Sequence, residues 1–76
     1  MVRAYVLIEM AAGHSRDMVN KLAGRPGVRS INRVTGPYDV IVELEAADIE
    51  AMSEAVADNI HAVKGVLRTI TCVCIG

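Results

Sequence analysis

A chain of 76 residues holds one domain, and with 53% apolar and 22% charged residues it is globular rather than disordered. Eight basic residues against nine acidic ones give a net charge of −1, and Tyr5 and Tyr38 are the only aromatic residues among Phe, Trp and Tyr. The basic footprint and the stacking surface of a nucleic-acid binder are both missing. No apolar run reaches the roughly 20 residues that cross a bilayer, and the start Met1-Val2-Arg3-Ala4 has no signal-peptide layout, so a cytoplasmic protein without membrane contact is expected.

Residues 2–10 (VRAYVLIEM) alternate as a strand, with Val2, Ala4, Val6, Ile8 and Met10 on one face and Arg3, Tyr5, Leu7 and Glu9 on the other. Gly13 breaks the chain, and His14 or Ser15 is placed to cap a helix over 15–24 with Asp17 in its first turn and Met18, Val19 and Leu22 as its apolar stripe. Gly24-Arg25-Pro26-Gly27 ends it. Residues 28–35 (VRSINRVT) are rich in β-branched side chains and predict a second strand, followed by the turn Gly36-Pro37-Tyr38-Asp39 and a third strand over 39–46. Asp48 caps a helix over 49–63 whose stripe is Ile49, Met52, Val56, Ile60 and Val63. Lys64-Gly65 closes it, and residues 66–75 (VLRTITCVCI) form the last strand. The order β-α-β-β-α-β is the split βαβ, an α+β ferredoxin-like sandwich of one four-stranded sheet under two helices.

A chain this short buries only about 60% of its unfolded surface, so its high apolar content points to a partner surface. If Val6, Ile8, Val40 and Val42 pack under the helices, Tyr5, Leu7 and Ile41 face outward. The last strand is apolar on both faces. Val66, Ile70, Cys72 and Cys74 are placed on one, and Leu67, Val73 and Ile75 on the other, so Tyr5, Leu7, Ile41, Leu67, Val73 and Ile75 form the expected interface with a second, two-fold-related copy. Cys72 and Cys74 lie two residues apart, roughly 7 Å along a strand. That spacing strains a disulfide. They are read as free thiols in a reducing compartment, small core hydrophobes rather than a metal pair.

No catalytic set stands out, and neither a cofactor nor a metal is expected. His14 and His61 have no nucleophile beside them, and Glu50, Glu54, Asp58 and His61 read as a solvated helix face. The strongest local signal is Thr35-Gly36-Pro37-Tyr38-Asp39, which joins a stiff turn to an aromatic ring and a carboxylate. The residues leave two readings open: a plain hairpin turn, or a rim for a small zwitterion in which Asp39 meets an ammonium group and backbone N–H groups meet a carboxylate.

The run Val34-Thr35-Gly36-Pro37-Tyr38-Asp39-Val40, a long helix, and then Gly65-Val66-Leu67-Arg68-Thr69-Ile70-Thr71 resembles the effector (RAM) domain of the Lrp/AsnC family, the feast/famine regulators. The resemblance covers nearly the whole chain. It implies a ligand-binding and oligomerisation module of transcription regulation that takes an amino acid, dimerises through its sheets into an α/β barrel, and assembles further, commonly into octamers with ligand between dimers. Carried over, the ligand residues are Thr35, Gly36, Pro37, Tyr38, Asp39, Thr69 and Thr71. The family's helix-turn-helix has no counterpart in these residues, so the expectation is a stand-alone form without direct nucleic-acid contact, acting alone or in mixed assemblies with full-length Lrp/AsnC regulators. The alternatives are a small dimeric α/β-barrel enzyme of monooxygenase or isomerase type, a purely structural partner, and an ACT-type domain, whose glycine-rich ligand turn Ala11-Ala12-Gly13-His14 fits only weakly.

Overall fold

The alternation of residues 2–10 forms β1 (Val2–Met10), the strand around which the rest is arranged in a computed structural model that describes Met1–Gly76. It is followed by α1 (Ser15–Leu22), β2 (Val28–Arg33), β3 (Val40–Ala46), α2 (Ile49–Val56) with a π-helical turn Ala57–His61, and β4 (Val66–Val73). The sheet order is β2-β3-β1-β4, with every neighbouring pair antiparallel. Both helices lie on one face, α1 against β2 and α2 against β3 and β1. This is the expected ferredoxin-like arrangement.

Ala4, Val6, Ile8 and Met10 of β1 and Val40, Val42 and Leu44 of β3 point into the core. There they meet Met18 and Leu22 of α1, Met52 and Val56 of α2, and Ile60. Each helix is anchored differently. The Asp48 carboxylate accepts the Ala51 N–H at 2.7 Å, an N-cap bond. Asp48→Ala is therefore expected to cost about 1 kcal/mol in chemical denaturation. His14 occupies the N-cap of α1 with no side-chain cap bond. Its ring packs over Gly65 so closely that a Cβ there would lie 2.5 Å from His14 Cγ, and Gly65 has φ +94, so glycine is required twice over at that position.

The bounds differ from expectation where local chemistry was overridden. The first helix stops at Leu22 because Ala23 turns to ψ 127. The strand expected over 28–35 ends at Arg33, and the third begins at Val40 rather than Asp39, because Asp39 is held by the end of β1. The long helix is regular only to Val56. In an α-helix a residue eight positions along stands about 80° around the axis. The wider π-turn after Val56 lets Ile60 return to the core line of Met52 and Val56. Ile49, grouped with them by spacing, is 55% exposed.

The faces of β4 are the main correction. Pairing sets Tyr5 opposite Cys72 and Leu7 opposite Ile70, so Ile70 and Cys72 lie on the open face. Val73 lies opposite Ala4 and turns to the helix side, Leu67 sits at the irregularity between Glu9 and Met10, and Ile75 lies beyond the strand, fully exposed. Val73 therefore does not continue the face of Tyr5, Leu7 and Ile41, and Ile75 lies outside the sheet. Cys72 is exposed and Cys74 half-buried, both free thiols, not the core hydrophobes expected. No helix is long and apolar enough to cross a membrane.

Candidate functional site

The link between β2 and β3, residues 34–39, is stitched to the end of β1. The Val34 N–H donates to the Asp39 carbonyl at 2.9 Å, and the Asp39 N–H donates to the Ile8 carbonyl at 2.9 Å. The Met10 N–H donates to Asp39 Oδ2 at 2.8 Å. Gly36 has φ +124, a conformation other residues rarely adopt, and Pro37 follows it. The segment is thus a fixed corner of the sheet, and the Asp39 carboxylate bonds a strand 29 residues away rather than its own turn.

Asp39 also lines a cleft of about 700 Å³ with Ser15, Arg33, Val34 and Thr35. Arg33 pairs with Val40 across the sheet and so points to the helix side, where its Nε donates to Ser15 Oγ at 3.2 Å. Ser15 belongs to the first turn of α1, so three elements build the walls. Arg33 and Asp39 share the cleft without forming an ion pair, and neither is paired elsewhere.

Tyr38 serves the other side of the sheet. Its ring lies under the Arg68 guanidinium, 5.7 Å from centroid to Cζ, and Arg68 Nε is 3.5 Å from Glu9 Oε1. These groups border the open face, whose apolar centre is Tyr5, Leu7, Ile41 and Ile70. At the opposite border Glu43 lies 3.7 Å from Arg3 and 3.8 Å from Arg29, and Arg29 reaches Glu45 at 2.9 Å.

The predicted ligand residues are therefore not all together within one chain. Thr35 and Asp39 meet in the cleft, Gly36 and Pro37 form the exposed tip, and Tyr38 turns to Arg68. Thr69 and Thr71 lie on β4 beside α2. Thr69 Oγ1 is 3.0 Å from His61 Nε2, and Thr71 borders a separate cleft of about 240 Å³ with Met52 and Val56. Sequence reasoning missed Arg33 and Arg68, and took Ser15 only as a cap. Strand parity offers a signal for Arg33: it stands two residues after Ile31, which pairs with Val42 and packs on the core.

The model of the Lrp/AsnC ligand binding domain family matches residues 3–76. The chain belongs to that family. A homocitrate synthase of Sulfurisphaera tokodaii is 37% identical over 54 residues, 71% of this chain and 12% of the enzyme. An uncharacterized HTH-type transcriptional regulator of Pyrococcus furiosus is 29% identical over 58 residues, 76% of this chain and 39% of the regulator. The chain thus spans well under half the length of these relatives. Among solved structures, FFRP-DM1 superposes with a TM-score of 0.93 at 31% identity, over 99% of this chain and 100% of that one. A Neisseria meningitidis transcriptional regulator in complex with L-Met superposes at 0.86 and 21% identity, over 99% of this chain and 50% of that one, a likeness of fold.

Proposed function

We propose that this Lrp/AsnC domain is an amino-acid effector-binding and oligomerisation module of transcription regulation. One observation carries the reading: a rigid corner presents the Asp39 carboxylate, free of any ion pair, in a polar cleft that also holds an unpaired guanidinium. Asp39 meets the ligand's ammonium group. The regulator among the relatives, and the L-Met bound by the Neisseria regulator of the same fold, support the ligand class. Family membership favours this over the enzyme alternative, since the match to homocitrate synthase covers only 12% of that enzyme.

The second half of the proposal is assembly. The open face centred on Tyr5, Leu7, Ile41 and Ile70 is covered by a second copy, sheet to sheet, and further assembly brings Thr69 and Thr71 towards a neighbour's ligand corner. Amino-acid occupancy then shifts assembly by linkage, in this chain alone or in mixed assemblies with full-length regulators in the cytoplasm.

Two substitutions at Asp39 test the site. Asp39→Asn keeps an acceptor for the Met10 N–H but removes the charge. Calorimetric titration with each of the twenty L-amino acids is expected to show affinity at least about tenfold weaker than wild type, with thermal stability nearly unchanged. Asp39→Ala loses affinity and also strands the Met10 N–H, lowering stability by about 1–3 kcal/mol. Wild-type affinity in Asp39→Asn overturns the assignment.

A further inference from the structure

Resting on the amino-acid reading above, we propose that Arg33, positioned by Ser15, holds the α-carboxylate of the bound amino acid, so that the cleft selects ligands carrying both charges. In the simplest version of the site, turn N–H groups would receive the carboxylate. Of the turn N–H groups only those of Thr35, Gly36 and Tyr38 stay free; Pro37 has none, and Val34 and Asp39 are unavailable because they donate to backbone carbonyls at 2.9 Å. Arg33 has the opposite status. Its Nε is committed to Ser15 Oγ, which fixes the plane of the guanidinium and leaves its two terminal nitrogens as an end-on fork. Such a fork matches the two oxygens of a carboxylate.

The setting favours an anion at that end of the cleft. Arg16 and Asp17 border the adjoining depression with Ser15 and Arg33, and no carboxylate, that of Asp17 included, lies within 4.0 Å of either arginine's nitrogens. Asp39 stands on the same cleft, yet outside ion-pair distance of Arg33. A corner that keeps a cation and an anion apart, each without an ion-pair partner, is complementary to a molecule carrying the reverse pair. An amine without the carboxylate, or an acid without the ammonium group, satisfies only one wall.

The test is calorimetric titration of wild type, Arg33→Leu and Arg33→Lys with the twenty L-amino acids, then with the decarboxylated amine of the tightest binder. Arg33→Leu is expected to weaken the tightest amino acid about 10- to 100-fold, as loss of a charge-assisted bond requires, and Arg33→Lys to recover part of that. Wild type is expected to bind the amine more weakly by a similar factor, whereas Arg33→Leu binds it as wild type does, a pattern that general disruption of the fold does not produce. Arg33 is exposed, so its variants should melt as wild type does. Arg33→Gln, polar and uncharged, is the second variant, with the same loss expected. Wild-type affinity in Arg33→Leu, with Asp39→Asn still impaired, overturns the role of Arg33 and leaves the amino-acid reading standing. A wild-type protein that binds none of the twenty overturns both.

Discussion

Leu7→Asp is expected to yield a monomer of about 8.1 kDa by light scattering, or a chain that does not fold, where the wild type gives at least twice that mass. Leu7 lies between Ile41 of β3 and Ile70 of β4, at the middle of the open face and half-buried in the single chain. In the sheet-to-sheet dimer proposed above, a carboxylate there removes apolar contact with the second copy and must itself be desolvated without a partner, a penalty of several kcal/mol. Ile70→Asp places the same charge on β4, where the side chain is 39% exposed, and is expected to give a folded monomer. Val73→Asp supplies the contrast. Val73 faces the helix side opposite Ala4, so this variant should remain dimeric. A dimeric Ile70→Asp together with a monomeric Val73→Asp would move the interface off the sheet face.

The second large effect concerns the core. Ile60→Ala is expected to lower unfolding free energy by about 2–5 kcal/mol, because Ile60 is fully buried and its removal leaves a cavity. That is a large share of what a small domain possesses, about 5–15 kcal/mol at most, so a shift to much lower denaturant midpoint follows. Ile49→Ala, drawn from the same apolar stripe, is expected to change stability by no more than about 0.5 kcal/mol, since Ile49 is largely exposed. Urea titration of the two variants separates them. Equal losses would mean that the π-turn does not turn Ile60 inward.

Those two contrasts mark where sequence reasoning succeeds and where it stops. The faces of β1 and β3 were legible because polar residues alternate with apolar ones: Arg3 and Glu9 with Val6 and Ile8, Glu43 and Glu45 with Val42 and Leu44. In β4 nearly every residue from Ile70 to Ile75 is apolar, so parity has no polar marker, and the irregularity opposite Glu9 and Met10 decides which set turns inward. The same limit applies to α2, where spacing at three and four cannot anticipate a π-turn. The corner was legible as Gly36-Pro37-Tyr38-Asp39, since turn chemistry is local. Its partners were not. Asp39 bonds Met10 and shares a cleft with Arg33 and Ser15, and these meetings depend on the crossover of α1 between β1 and β2. Likewise, Arg68 reaches Tyr38 only because β4 pairs with β1.

Tyr38 and Asp39 are chain neighbours that belong to opposite sides of one sheet, the first clasped by Arg68 at the rim of the open face, the second lining the cleft. On the reading proposed above, a ligand that pulls on Asp39 acts on the same short segment that holds Tyr38 at the subunit boundary. Thermodynamic reciprocity then runs in both directions: whatever factor the amino acid applies to subunit association, association applies to amino-acid affinity. The half-saturation point of the sensor is consequently not a constant of the chain. On the proposed reading it moves with the chain's own abundance, so a cell that makes more of this protein would reset the amino-acid level at which it responds.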